Sequence, residues 1–176
     1  HKGFIGQHLY NFLKDNHTII GIDDKSGDNL LTCDLKHNVD LVIHLAGLSG
    51  VRDSLDRPTD YWEQNVIAGQ RLFDYFKDTR ILYASSSTAH EPWSNPYAMS
   101  KYGLEQIAPK NSVGMRFTTV YGPNARETML IPRILKHDVP YKPTHAKHPC
   151  TLWAGESLSN WNWLIAVSYT HLRAHE

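Results

Sequence analysis

YASSSTAHEPWSNPYAMSK, residues 83–101, joins a strand to a helix through a serine-rich turn. The apolar run Arg80-Ile-Leu-Tyr-Ala reads as a buried strand that spills into Ser85, Ser86 and Ser87. The chain then turns through Pro92 and Pro96 and enters a helix that carries Tyr97 and Lys101. An i,i+4 spacing puts those two side chains on one helical face, one turn apart. A phenol beside an ammonium group is one way to make a proton acceptor near neutral pH. Free tyrosine titrates near ~10, and a nearby positive charge favours its ionised form. A hydroxyl at the strand end completes a pair around a substrate alcohol. Such a set suits removal of a proton from a carbinol while a hydride leaves it. Tyr-x-x-x-Lys alone is also what an exposed helical face looks like, so the rest of the chain has to bear on it.

The bulk properties narrow the classes. A chain of 176 residues is long enough for a domain with a real core. Eighteen basic and 18 acidic residues balance, which leaves no electrostatic argument for nucleic acid or an acidic membrane surface. Cys33 and Cys150 lack metal-type spacing and cannot make a disulfide scaffold, which points to a reducing, cytoplasmic compartment. No apolar run approaches a bilayer span. No signal peptide is visible, because the chain opens inside a motif.

Other stretches fall into an order. They are His1-Lys-Gly-Phe-Ile-Gly6, Ile19-Ile-Gly-Ile-Asp23, Val42-Ile-His-Leu-Ala-Gly47, Asn65-Val66, the serine run, Tyr97 with Lys101, and Arg116-Phe-Thr-Thr-Val-Tyr-Gly-Pro123. Together they resemble the extended short-chain dehydrogenase/reductase family, specifically its NAD-dependent epimerases and dehydratases of nucleotide sugars. UDP-glucose and UDP-glucuronate 4-epimerases are the nearest branch. The resemblance covers residues 1 to about 141. It implies an α/β fold, a Rossmann-like doubly wound parallel sheet, truncated at the first strand and in the C-terminal substrate lobe. Residues 1–123 are expected to form the NAD-binding domain and 124–141 to begin the substrate lobe.

Within that resemblance Gly3, Phe4, Ile5 and Gly6 match the end of a glycine-rich turn that brings backbone N–H groups to a pyrophosphate at a helix N-terminus. A plain turn into an amphipathic helix with Ile5, Leu9, Phe12 and Leu13 as its stripe is the alternative. Thr18–Ile22 reads as the second strand, ending in Asp23 as ribose ligand with Asp24 beside it; a solvated loop acid is the other reading. Leu30–Cys33 reads as a short third strand, with Asp34 near the adenine. Leu41–Leu45 is the fourth, and Leu45, Ala46 and Gly47 let the cofactor pass close by. Gly50-Val-Arg-Asp-Ser is reminiscent of the uronate 4-epimerase branch. Thr59–Lys77 reads as one long helix with Trp62, Val66, Phe73 and Phe76 on its apolar side. Asn65 either ties that helix to the cofactor loops or lies on its surface.

The family pattern places Ser86 as the substrate-facing hydroxyl and Thr88 as a secondary contact, with Ser85 and Ser87 as turn formers. Dehydratases of this superfamily carry an Asp-Glu pair where this chain has Ser87 and Thr88, which disfavours elimination. After the strand Ser112–Phe117, Phe117 matches a nicotinamide neighbour and Thr119 a sugar contact. Ile131, Ile134 and Leu135 then line a helix that begins near Pro132. The resemblance thus implies catalysis by Ser86, Tyr97 and Lys101, with Tyr97 and Lys101 also touching the cofactor and Ser86, Thr88, Tyr97 and Thr119 the substrate. Tyr97 is the proton acceptor, Ser86 orients the C4 hydroxyl, and Lys101 holds the nicotinamide ribose.

Residues 142–166 match no element of that fold, as a frameshift would leave them, and 167–176 look like a translated sequencing adapter. His145, His148 and Cys150 fit no zinc spacing, so no metal is expected. The expected activity is nucleotide-sugar 4-epimerisation with NAD through a 4-keto sugar, in an intact parent that dimerises through the Thr59–Lys77 and Asn95–Ile107 helices. The chain as written is expected to be an inactive, poorly stable fragment. A reductase or decarboxylase on the same scaffold, or a non-catalytic NAD-binding protein, are the alternatives.

Overall fold

Parallel strands cannot be joined by a tight turn, so each connection must cross over the sheet, usually through a helix. The computed structural model describes residues 1–127, and its three-stranded sheet is parallel throughout. The strands are β1 (Leu41–His44), β2 (Arg80–Ser86) and β3 (Ser112–Phe117), in that order across the sheet. Helix α1 (Phe4–Leu13) precedes them. The first crossover carries α2 (Val51–Asp56), α3 (Pro58–Trp62), a π-helical segment (Glu63–Ile67) and α4 (Ala68–Tyr75). The second carries two 3₁₀ turns (Ser87–His90 and Pro92–Ser94) and α5 (Pro96–Gln106).

Local chemistry sets the helix starts. Asn95 caps α5 by accepting from the Ala98 N–H at 2.9 Å, and Pro96 takes the first helical position, where its missing N–H costs nothing. The long helix expected at Thr59–Lys77 is present from Pro58 to Tyr75, but the π segment interrupts it. Val66, Phe73 and Phe76 are buried as expected, whereas Trp62 is half in solvent.

The core lies between the sheet and α4 and α5. Ile81 and Tyr83 of β2 pack with Ala68, Leu72, Phe73 and Phe76, with Leu104 of α5, and with Leu30 and Leu35. Each large side chain fully buried there contributes about 1.5–3 kcal/mol. A Cβ on Gly69 would stand 2.4 Å from Leu104 Cδ1, so glycine lets α4 and α5 approach this closely.

Two expected strands are absent. Thr18–Ile22 joins no ladder among the described residues, and the His1 ring packs against Gly21, where a Cβ would meet it at 2.4 Å. Leu30–Cys33 is a turn. Asn29 accepts from the Thr32 and Cys33 N–H groups at 2.9 and 2.7 Å, and the Arg71 guanidinium takes the Leu30 and Cys33 carbonyls at 2.6 Å each. Those carbonyls are therefore not open to a neighbouring strand. In α1, Ile5, Leu9 and Leu13 are half-buried, but Phe12 is 78% exposed. These elements belong to a unit spanning His1–Arg126. The Pro132 helix, residues 142–166 and 167–176, and His145, His148 and Cys150 lie outside the described residues.

Candidate active site

The carboxyl end of β2 is where the helices, the loops and the serine run meet. Ser86 ends the strand and caps the following 3₁₀ turn; its Oγ accepts from the Thr88 N–H at 3.3 Å and pairs with Thr88 Oγ1 at 2.9 Å. Two hydroxyls thus stand side by side. Lys101, 5% exposed, reaches from α5 to the same strand and donates from Nζ to the Ala84 carbonyl at 3.1 Å. Tyr97 lies one turn before Lys101 on that helix, its ring edge-on to Tyr61 with centroids 6.1 Å apart. Tyr61 is buried and donates from its hydroxyl to the Ser49 carbonyl at 3.1 Å.

Asn65 ties this corner together. Its Oδ1 accepts from the Leu48 N–H at 2.7 Å, and its Nδ2 donates to the Leu48 carbonyl at 3.1 Å and to Ser100 Oγ at 2.9 Å. Ser100 donates in turn to the Tyr97 carbonyl at 2.8 Å. The loop after β1, holding Leu45, Ala46 and Gly47, is thereby fixed to the helix that carries Tyr97. Gly47 has φ +147°, and a Cβ there would sit 2.6 Å from Asn65 Oδ1 and 3.4 Å from Lys101 Nζ. Only glycine satisfies both the backbone and the space. Asn65 is 1% exposed, so its surface reading falls away. Phe117, half-buried, pairs with Ser86 across the β2–β3 register, and Thr119 is exposed in the loop beyond.

A second cluster forms at the start of α1. Gly3 is its N-cap residue, Phe4, Ile5 and Gly6 form its first turn, and nothing crowds a Cβ placed on Gly3. Asp23 joins this turn: Oδ2 accepts from the Lys2 N–H at 2.7 Å and from the His1 backbone nitrogen at 2.8 Å, and Oδ1 from the Lys25 N–H at 3.0 Å. Burial raises its pKa, but those bonds overcome it and hold the carboxyl at about 2. Asp24 is exposed in a 3₁₀ turn. Asp34 has a side chain 67% exposed and, among the described residues, is bonded only within its own loop, to the Lys36 N–H at 2.9 Å and the Lys36 ammonium at 3.9 Å.

The electrostatics of the corner follow from burial. Desolvation lowers Lys101 to about 8. Desolvation, and then the Lys101 charge, lower His44 to about 3, so this fully buried imidazole stays neutral. The arrangement fits NAD on its own terms. The Lys101 ammonium spends one of three N–H bonds on Ala84 and lies beside a glycine that leaves room for a close neighbour, while the open N-terminal turn of α1 and the Asp23 carboxylate supply donors and an acceptor.

Tyr61, Ser100 and His44 belong to this corner and were not singled out in the sequence. Ser100 carried a weak signal. A serine inside a helix often back-bonds to the preceding turn, which leaves its oxygen free to accept from elsewhere. Its partner Asn65 is 35 residues away, which no local pattern reveals.

The chain matches the model of the NAD dependent epimerase/dehydratase family over residues 1–164, a span that runs on past Tyr141. It is 33% identical over 194 aligned residues to an uncharacterized UDP-glucose epimerase, YtcB, of Bacillus subtilis, covering 80% of this chain and 61% of that protein. It is 30% identical over 152 residues to UDP-glucuronate 4-epimerase of Thermodesulfobacterium geofontis, covering 73% of this chain and 47% of the relative. Among solved structures, UDP-glucuronic acid 4-epimerase from Bacillus cereus, in complex with UDP-glucuronic acid and NAD, superposes with a TM-score of 0.61 at 26% identity, covering 76% of this chain and 60% of that one. The chain therefore spans between about half and three fifths of the length of these relatives. With the parallel sheet and the glycine turn already in place, the match over residues 1–164 shows that the chain belongs to the NAD-dependent epimerase/dehydratase family.

Proposed function

We propose that the protein is a nucleotide-sugar 4-epimerase that works by transient oxidation at C4. What supports this reading is that Ser86 ends β2, Lys101 bonds the carbonyl of Ala84 two residues before it, and Tyr97 lies one turn before Lys101 on α5, with Ser87 and Thr88 where elimination chemistry needs an acid and a base. Tyr97 takes the proton from the C4 hydroxyl. Ser86, its oxygen shared with Thr88, orients that hydroxyl within hydrogen-bond reach. Lys101 holds the nicotinamide ribose with the N–H bonds that Ala84 leaves over. Bound NAD supplies a hydride acceptor that becomes the donor in the return step. The sugar, now a 4-ketone, turns in the site, and Tyr97 returns its proton to the new C4 hydroxyl. Phe117 and Thr119 flank the nicotinamide and the sugar, Asp23 and Asp24 take the adenosine ribose, and Asp34 lies toward the adenine. A UDP-sugar is the proposed substrate, on the strength of the relatives' names. A cytoplasmic homodimer formed through the 58–75 helix and α5 completes the proposal.

The test is turnover of UDP-glucose, UDP-galactose and the UDP-uronates by this chain and by the longest genomic reading frame that contains it. The 176-residue chain is expected to give no product, and the longer one redox-neutral conversion to the C4 epimer. Tyr97→Phe should lower it by about a thousandfold or more while leaving NAD bound; near-wild-type activity in that variant would remove Tyr97 as the base. Net NADH release would point instead to oxidation or decarboxylation, and cofactor binding without any product to a non-catalytic binding protein.

A further inference from the structure

Glu105 lies four residues beyond Lys101 and eight beyond Tyr97, so the three share one face of α5. Its carboxylate does not point to solvent, its side chain being 13% exposed. Oε1 accepts from the Ser85 hydroxyl of β2 and from Arg116 Nε of β3 at 2.9 Å, and Oε2 accepts from Arg116 Nη2 at 2.7 Å. Ser85 and Arg116 are register partners on the sheet, one rung before Ser86 and Phe117. One carboxylate therefore grips both strands immediately before the residues that face the reaction. We propose that Glu105 is a positioning residue that fixes the rotation of α5 against β2 and β3, holding Tyr97 and Lys101 opposite Ser86 and Phe117.

The geometry favours this role over a solvated surface pair. An exposed ion pair contributes about 0–1 kcal/mol and tolerates sliding, whereas a bidentate Arg–carboxylate pair sets distance and orientation together. Burial raises the Glu105 pKa, but the bonds from Arg116 and then Ser85 reverse this, so the carboxylate is ionised at neutral pH. The pair also closes a triangle. Lys101 bonds Ala84 and Glu105 bonds Ser85, so two successive residues of β2 are held by two successive turns of α5.

The proposal rests on the reading of Tyr97, Lys101 and Ser86 as the reacting set, but its test needs neither substrate nor turnover. Competitive reductive methylation across pH, read by mass spectrometry at Lys101, reports how buried that ammonium is. In the 176-residue chain its midpoint is expected at about 8. His44, which feels the Lys101 charge, is neutral throughout that range. In Glu105→Ala the midpoint should rise by about one pH unit or more as α5 loosens and water reaches the amine. NADH, added as a fluorescent probe, should bind about tenfold more weakly. Glu105→Gln, which keeps the shape, should fall between. Ser85→Ala and Arg116→Lys each remove one grip without emptying the site; both should move the midpoint, and they carry the test if Glu105→Ala does not fold. A lower melting temperature with an unchanged Lys101 midpoint in these variants would reduce Glu105 to a stabilising pair and overturn the proposal. Absence of sugar turnover by the longest genomic reading frame would sink the functional reading instead, with the methylation midpoint still deciding for or against Glu105.

Discussion

Asn65 and Asp34 are both polar residues that the family pattern assigns to the cofactor, and the fold treats them as opposites. Asn65 is 1% exposed and makes three hydrogen bonds that join a loop, a helix and the helix that carries Tyr97. Asp34 has a side chain 67% exposed and, among the described residues, bonds only within its own loop. The same contrast separates the regions they sit in. Asn65 lies in the helix that follows the laddered β1 and bonds the loop after that strand and α5, so it is held from two directions. Around Asp34 the flanking segments Thr18–Ile22 and Leu30–Cys33 join no ladder among the described residues. A motif residue is held where other elements reach it: Asn65 by a loop and a second helix, Asp23 by the turn before α1, and Asp34 by its own loop.

The largest effect should come from the paired region. Asn65→Ala leaves the Leu48 N–H and carbonyl and Ser100 without their buried partner, and should cost about 2–4 kcal/mol in urea unfolding. A loss below about 0.5 kcal/mol would erase the contrast.

Next comes Lys101→Met. The folded pKa of Lys101 is lowered to about 8 from 10.5, so between those values the unfolded chain binds a proton that the folded chain lacks. Stability therefore rises with pH through that window, and at pH 7 the wild type bears the full cost of burying the charge. Lys101→Met should flatten this rise, stabilise the apo chain at pH 7 by roughly 1–3 kcal/mol, and weaken NAD binding at the same time. Thermal melts at pH 7 and 10 would check it; loss of stability at pH 7 would contradict it.

In the less paired region the effects should shrink. The Asp23 pKa is held at about 2 against 3.8, so its contribution is complete above about pH 4 and is lost as pH falls toward 2. Asp23→Asn should remove about 1 kcal/mol at neutral pH, discounted for its solvated partners, and flatten the melting curve in that acid window. His44 adds its own loss between 6.5 and about 3, so the readout is the difference from wild type. Asp34→Asn should stay within about 0.5 kcal/mol. A larger change would mean that its loop is better fixed than its exposure indicates.

Much of the fold could be read from local pattern. β2 opens as a short apolar run bounded by turn formers, and Asn95-Pro96 announces the start of α5; β3 is mixed in composition and none of its residues is buried. Thr18–Ile22 has the same apolar composition as a true strand, but a ladder depends on a paired neighbour, and the described sheet offers it none. Leu30–Cys33 was lost to Arg71, 41 and 38 residues away from the carbonyls it binds. The site shows the same division. Ser86, Tyr97, Lys101, Gly47 and Asn65 were visible because their spacing along the chain is itself a pattern, and the fold brings them to one corner. Glu105 and Tyr61 were not, since a glutamate on a helix and an aromatic in a buried face have no local mark of the partner they will meet.

The π segment Glu63–Ile67 gives the 58–75 helix a property that an unbroken α-helix would lack. A turn of π-helix holds one residue more than its neighbours, so the helix behaves as if a residue had been inserted, and the faces before and after it are out of phase by about 100°. Tyr61, ahead of the insertion, meets Tyr97 and Ser49; Leu72 and Phe73, behind it, meet the core. Two requirements that would compete for one helical stripe are thereby separated, and the aromatic contact at Tyr97 can be tuned without repacking the interior.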